Sequence, residues 1–144
     1  MHKYVLGLDF GSDSARALVV NVQTGQEESC GVALYPRWSA GRYSDAAENR
    51  FRHHPQDYLE ALVECVRQAL ERLPSTVREK IFGIGIAATG STPGPVDRQG
   101  VLLALQEDFA ENPNAMFNVW KDHTSLDEAV RILTFCVRFF CASI

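Results

Sequence analysis

The sequence has no apolar run that approaches membrane-spanning length, which argues against a membrane partner. Asp9 breaks the first apolar stretch before it could serve as the core of a secretory signal, so a cytoplasmic protein is expected. There is no excess of positive charge: 14 Lys and Arg against 18 Asp and Glu leave a net charge of -4, without the basic footprint of a nucleic-acid partner. Cysteine is sparse. Cys30, Cys65, Cys136 and Cys141 form no C-x-x-C pair, and Cys65 falls on the apolar side of an expected helix, so buried reduced thiols are favoured over disulfides. No internal repeat, low-complexity tract or interdomain linker interrupts the chain. Two phosphate-binding turns are missing as well, since neither G-x-x-x-x-G-K-[ST] nor G-x-G-x-x-G occurs.

What is present is a chain of 144 residues, 46% hydrophobic and 22% charged, with the composition of a soluble globular domain. A chain of this size can bury roughly 70% of its unfolded surface. Lys3 to Phe10 reads as a strand buried on both faces, Arg16 to Val22 as a second and Ser29 to Tyr35 as a third, with Gln23-Thr24-Gly25-Gln26 as the turn between the last two. From Arg37 to His54 neither period is clear, and an ordered excursion loop is expected. Pro55 opens a helix in which Leu59, Leu62, Val63, Val66, Leu70 and Leu73 recur at spacings of three and four, with Pro74 as its stop. His53-His54 before it are expected to serve the start of that helix rather than a metal.

Ile81 to Ala87 then alternates Phe82, Ile84 and Ile86 on one face with Gly83, Gly85 and Ala87 on the other, where a helix or ligand can approach closely. Asp97-Arg98-Gln99-Gly100 makes a turn between short strands, and Met116 to Trp120 reads as a further strand. Thr124 or Ser125, with Asp127 or Glu128 three residues on, opens a last helix.

The segment "GLDFGSDSAR", Gly7 to Arg16, ends the first strand in a turn that leads into another strand. A phosphate held there would meet backbone N–H groups and serine hydroxyls, with Gly11 leaving room for its approach. Asp9 is then a problem, because a carboxylate about 4 Å from a phosphate oxygen is repelled by roughly 4 kcal/mol at an effective dielectric of 20. A bridging Mg²⁺ removes the conflict. On this peptide alone, an Asx-turn at Asp9 with Ser12 and Ser14 capping local N–H groups explains the residues equally well.

The order of hairpin, helix, small-faced strand and second turn resembles the N-terminal domain of the actin-like ATPase superfamily. The colinear segments "GLDFGSDSARALVV", "YPRW", "NRFRHHP", "ATGSTP", "ENPNAMF" and "WKDHT" resemble the ribulose-phosphorylating FGGY carbohydrate kinases, from about residue 3 to about residue 131. The resemblance implies an α/β fold: the N-terminal part of an actin-like (ribonuclease H-like) kinase domain, with a mixed sheet and flanking helices. It implies an enzyme that phosphorylates L-ribulose to L-ribulose 5-phosphate with ATP and Mg²⁺, in the breakdown of L-arabinose.

Residue by residue, the resemblance puts Asp9 at the metal and Asp9, Gly11, Ser12, Ser14 and Arg16 in the phosphate loop. Gly90, Ser91, Trp120, Lys121 and Asp122 are implied to meet the sugar. From the residues alone, Lys121 and Asp122 could equally be a solvated ion pair and Trp120 a core residue. The family's general base is expected from a segment beyond residue 144, and "LTFCVRFFCASI" from Leu133 onward does not resemble the family. Residues 1–132 are therefore expected to be a partial kinase domain and 133–144 an apolar tail, from a reading frame that ends early. The alternative is a non-catalytic sugar- or phosphate-binding remnant. A small-molecule sugar is the expected partner, with a homo-oligomer open.

Overall fold

A computed structural model of the chain describes residues 3–141, with side chains described through Cys136. Strand β1 (Tyr4–Phe10) turns back into β2 (Ser14–Asn21), which turns back into β3 (Glu27–Leu34). Helix α1 (Pro36–Ser39), β4 (Ser44–Asp45) and β5 (Arg50–His53) follow, then α2 (Pro55–Glu71), α3 (Ser75–Arg78) and β6 (Ile81–Ala88). After three single 3-10 turns come β7 (Phe117–Asn118) and α4 (Leu126–Cys141).

The main sheet runs β3-β2-β1-β6, with β1 antiparallel to β2 and parallel to β6. It is the mixed sheet expected, in an α/β fold. The parallel pair matters for function, because the carboxyl ends of β1 and β6 open at the same edge, where ligands of open α/β sheets settle.

One face of the sheet is covered by α2. Tyr4, Leu6, Leu8, Ala15, Ala17, Val19 and Ala33 are buried against Ala61, Cys65 and Ala69. Helix and sheet meet most closely at Gly31, where an added Cβ would lie 2.1 Å from the Cys65 carbonyl oxygen. Ser29 Oγ donates to the Ala69 carbonyl at 2.7 Å, and the Arg72 guanidinium donates to the Cys30 carbonyl at 3.1 Å, so the contact is hydrogen-bonded as well as packed. The opposite face of β1 carries Val5, Gly7 and Asp9, which are half-buried rather than enclosed as the apolar run suggested.

Pro55 starts α2 as expected, and His54 caps it by accepting the Gln56 N–H at 3.0 Å on Nδ1. Its Nε2–H donates to the Ala110 carbonyl at 3.1 Å, which fixes the tautomer. The excursion between Arg37 and His54 is not a loop throughout. It holds α1 and β4, and β5 within it pairs antiparallel with both β4 and β7 in a second, three-stranded sheet. The first turn of α1 is tied to α2 by Asp57, which is fully buried and accepts from the Arg37 guanidinium at 2.7 Å and the Trp38 N–H at 3.1 Å.

The strand expected from Met116 to Trp120 is only Phe117–Asn118, since Asp122 N–H closes a turn on the Val119 carbonyl at 2.8 Å. Among the cysteines, Cys65 is buried and free, Cys30 is free and half-buried, and Cys136 is free and exposed. The expectation of buried thiols therefore fails at Cys136, which is exposed on α4; the Cys141 side chain lies outside the described ones. The boundary placed at 132/133 falls inside α4, and residues 142–144 of the expected apolar tail lie outside the described residues.

Candidate functional site

Three segments meet at the edge where β1 and β6 end. The first is the turn 11–13 between β1 and β2, closed by the Gly11 N–H donating to the Ser14 carbonyl at 2.9 Å. The second follows β6: Thr89 donates through both its N–H (2.9 Å) and its Oγ1 (3.1 Å) to the Phe10 carbonyl, clamping the second turn to the first. The third follows β7, where the Asn118 N–H donates to the Pro93 carbonyl at 2.9 Å. The Trp120 indole N–H then donates to Ser12 Oγ at 3.3 Å, a contact between residues 108 apart in the chain.

In the first turn, Ser12 and Asp13 are exposed, and their N–H groups have no internal partner among the described residues. The Asp9 carboxylate, at the end of β1, likewise makes no hydrogen bond or ion pair there. It stands opposite Arg16 on β2, on the sheet face away from α2, beside an open groove of about 430 Å³ lined by both residues with Gly7 and Leu18. Ser14 is buried, its Oγ donating to Asp13 Oδ1 at 3.4 Å, so it supports the turn from within. A Cβ on Gly11 would lie 3.4 Å from the Ser14 carbonyl oxygen, which keeps that position close to the turn's backbone.

A polar cleft of about 640 Å³ lies alongside, lined by Ser91, Thr92, Pro93, Asn118, Trp120, Asp122 and neighbouring residues. Ser91 adopts φ of 56°, in the left-handed region, which the adjacent Gly90 and the Thr92 Oγ1 bond to the Gly90 carbonyl (3.2 Å) help to accommodate. The structure thus brings Asp9, Gly11, Ser12 and Arg16 to one side of this edge and Gly90, Ser91, Trp120 and Asp122 to the other.

Lys121 and Asp122 part company. Asp122 forms an ion pair with Arg52 at 2.8 Å and accepts from the Phe51 N–H (2.8 Å), the Thr124 N–H (3.1 Å) and Thr124 Oγ1 (2.6 Å). Burial alone would raise its pKa, but these hydrogen bonds and the Arg52 charge outweigh burial and hold it below the ordinary carboxylate range. Arg52 also donates to Asn118 and to Thr124 Oγ1. Asp122 thus locks the third segment to β5. Lys121 turns instead over the Trp38 and Phe51 rings.

Arg52, Thr124, Trp38 and Phe51 were not singled out as site residues from the sequence. Arg52 meets its partners across 66 to 72 residues, and no local spacing reports such a pairing. Behind this layer lies an aromatic cluster. Tyr35, His53 and Tyr58 pack with ring centroids 4.7 to 5.7 Å apart, and burial pushes the Tyr58 hydroxyl up to about 12 and the Tyr35 hydroxyl higher still.

No protein-family model matches the chain. It is 53% identical over 130 residues to a ribulokinase of Vibrio parahaemolyticus, covering 90% of this chain and 23% of that protein. It is 31% identical over 132 residues to a ribulokinase of Halalkalibacterium halodurans, covering 88% of this chain and again 23% of the relative. The chain therefore spans under a quarter of the length of the curated relatives it matches. In fold it resembles the crystal structure of a gluconate kinase from Lactobacillus acidophilus, with a TM-score of 0.67 at 14% identity, over 97% of this chain and 24% of that one. Over nine tenths of its length, the chain is homologous to part of ribulokinase, a carbohydrate kinase.

Proposed function

We propose that the edge formed by β1, β6 and the segment after β7 is the phosphate and sugar side of a ribulokinase site, and that its reaction is ATP-dependent phosphorylation of L-ribulose at a terminal hydroxyl. The Trp120-to-Ser12 hydrogen bond carries this reading. It seats the residue implied to wall the sugar directly against the loop implied to hold the transferred phosphate, which phosphoryl transfer demands. The protein would act in the cytoplasm, a reading that the free cysteines suit.

The residues present fit the groups this chemistry uses. Mg²⁺ is commonly held by one carboxylate together with substrate phosphate oxygens, and Asp9 offers a carboxylate with no partner among the described residues. The unpaired N–H groups of Ser12 and Asp13, with the Ser12 hydroxyl, would receive the phosphate of ATP. The magnesium would supply charge neutralisation between Asp9 and the phosphate. Arg16, exposed beside Asp9, adds a cation on the same face. On the sugar side, Ser91 and Asn118 offer donors and acceptors beside the Trp120 ring, as a polyol requires. Asp122 positions that segment through Arg52, whereas Lys121, held over the Trp38 and Phe51 rings, does not line the cleft.

A second reading follows from the 23% span: the isolated chain is a binding module that lacks the rest of the catalytic apparatus. A coupled ADP-release assay, run with calorimetric titration of L-ribulose, separates the two. Ribulose-dependent ADP release that falls at least about 100-fold in Asp9→Asn is the expected result for the kinase. Ribulose binding without ADP release selects the binding module. Absence of both, in a folded chain, rejects the site.

A further inference from the structure

Two apolar surfaces of the chain face solvent, and their dimensions and charges match. The first is on the main sheet. Helix α2 lies over β2 and β3, and beyond its cover Ile84 and Ile86 project from β6, in register with buried Leu6 and Leu8. Exposed Phe82 precedes them on the same face. At the amino end of this strip the Lys3 ammonium lies 5.4 Å from the Phe82 ring centroid. At its carboxyl end an apolar hollow of about 340 Å³ is lined by Ala88 together with Pro55, Leu59, Leu62, Leu105, Phe117 and neighbouring residues. The eight residues of β6 span about 26 Å.

The second surface is α4, whose 16 residues span about 24 Å. Leu126, Val130 and Leu133 recur at i, i+4 and i+7 on one stripe, each more than half exposed. Every side chain from His123 to Cys136 is exposed. The β-branched Val130, Ile132 and Thr134 weaken the intrinsic preference for helix, so a helix of this length depends on packing of its apolar face. Asp127 and Glu128 stand in its first turn.

The charges select which copy of α4 suits the strip. Ser125, just before α4, lines the polar cleft with Ser91 and Thr92, which follow the carboxyl end of β6. Laid along β6 of its own chain, α4 would therefore start at that end and hold its acidic first turn away from Lys3. A helix from another copy is free to run the same way as β6, which brings Asp127 and Glu128 to Lys3 and leaves the apolar remainder for Ile84, Ile86 and the hollow.

We propose that the chain forms a closed two-fold dimer in which α4 of each copy lies along β6 of the other, its stripe on Ile84 and Ile86 and its acidic turn at Lys3. An amphipathic helix seated by anchors at i, i+4 and i+7 is a common mode of recognition. Reciprocal exchange covers both surfaces of both copies, whereas one-way docking would leave free ends and continue into a filament.

Multi-angle light scattering tests this on the purified chain. The mass should rise with concentration from 16.0 kDa to twice that value and no further. Ile84→Lys/Ile86→Lys on the strip and Val130→Lys/Leu133→Lys on α4 should each weaken self-association at least about 100-fold, since each removes two apolar anchors from both contacts. An equimolar mixture of the two variants should associate at lower concentration than either alone, because one α4 and one β6 in the mixed dimer remain intact. In the wild type, amide exchange in α4 and in β6 should slow together, at least about tenfold, as the dimer forms. This last readout needs no substitution and decides the matter should a variant lose its circular dichroism. A wild type that stays monomeric overturns the proposal, as does growth beyond the dimer. So does a dimer whose α4 exchange is independent of concentration, an α4 variant that dimerises like wild type, or a mixture no better than its components.

Discussion

His53 is 1% exposed, its Nδ1 bonded to the Tyr58 hydroxyl at 2.9 Å and its ring walled by Trp38 and Tyr35. Burial is the main reason its pKa falls to about 4 from 6.5, with Lys121 pushing in the same direction and Asp57 and Asp13 opposing. A histidine neutral in the fold but ionisable when unfolded makes the unfolded chain bind more protons between those two values. Stability is therefore flat for this group above about pH 6.5, falls as pH drops towards 4, and is flat again below, with a total change on the order of 3 kcal/mol. His54, lowered chiefly by burial, adds to the same window, whereas Asp122 loses its contribution only below the ordinary carboxylate range. Urea unfolding of His53→Phe between pH 7 and 4 should show a clearly shallower dependence than wild type; an identical slope would remove His53 from this account. The sequence made His54's place at the start of a helix legible through Pro55. It could not reveal the burial of His53, whose neighbours Trp38 and Tyr35 precede it by 15 and 18 positions without a shared period.

At the scale of elements, the periodicity of α2 was legible, and Leu62, Val66, Leu70 and Leu73 do pack on the core, but the small residues that are buried most deeply were not all singled out. Leu59 and Val63 are 47% and 69% exposed, whereas Ala61, Cys65 and Ala69 are at most 2% exposed. Cys65 and Ala69 suit the closest contact because β3 presents Gly31 to the helix there, with the added Cβ of a larger residue meeting the Cys65 carbonyl oxygen and the Ala69 nitrogen. Gly31→Ala should therefore cost about 2 kcal/mol or more in chemical denaturation, since its Cβ would collide with main chain that cannot rotate away. Gly85→Ala on β6, whose added Cβ would meet nothing within 4 Å, is the control and should lie within about 0.5 kcal/mol of wild type. Equal costs at both positions would contradict the packing argument. β4 and β5 lie inside the segment read as a loop, because strands of two and four residues are too short to show a period, and β5 is held to β7 by partners 64 to 66 residues away.

At the scale of the molecule, the sheet and both turns of the site could be read from local patterns, because each lies within a few residues of a strand end. Their convergence could not, since it depends on the Trp120-to-Ser12 and Arg52-to-Asp122 contacts between distant segments. One side of the fold is left open. β6 is an edge strand, and Phe82, Ile84 and Ile86 on it are 62%, 65% and 71% exposed. Ile84 and Ile86 stand in register with buried Leu6 and Leu8, so the apolar face continues past the cover that α2 provides. An uncovered apolar edge strand recruits other chains through its free N–H and C=O groups and its side chains. The isolated chain should therefore scatter light in a concentration-dependent way. Ile84→Lys combined with Ile86→Lys should suppress this while leaving far-UV circular dichroism unchanged, because neither side chain contributes to the core against α2 and lysine on an edge opposes pairing. Should the doubly substituted chain associate as readily as the wild type, the open edge of β6 would not be its adhesive surface, and the exposed apolar residues of α4, Leu126, Val130 and Leu133, would be the next to substitute.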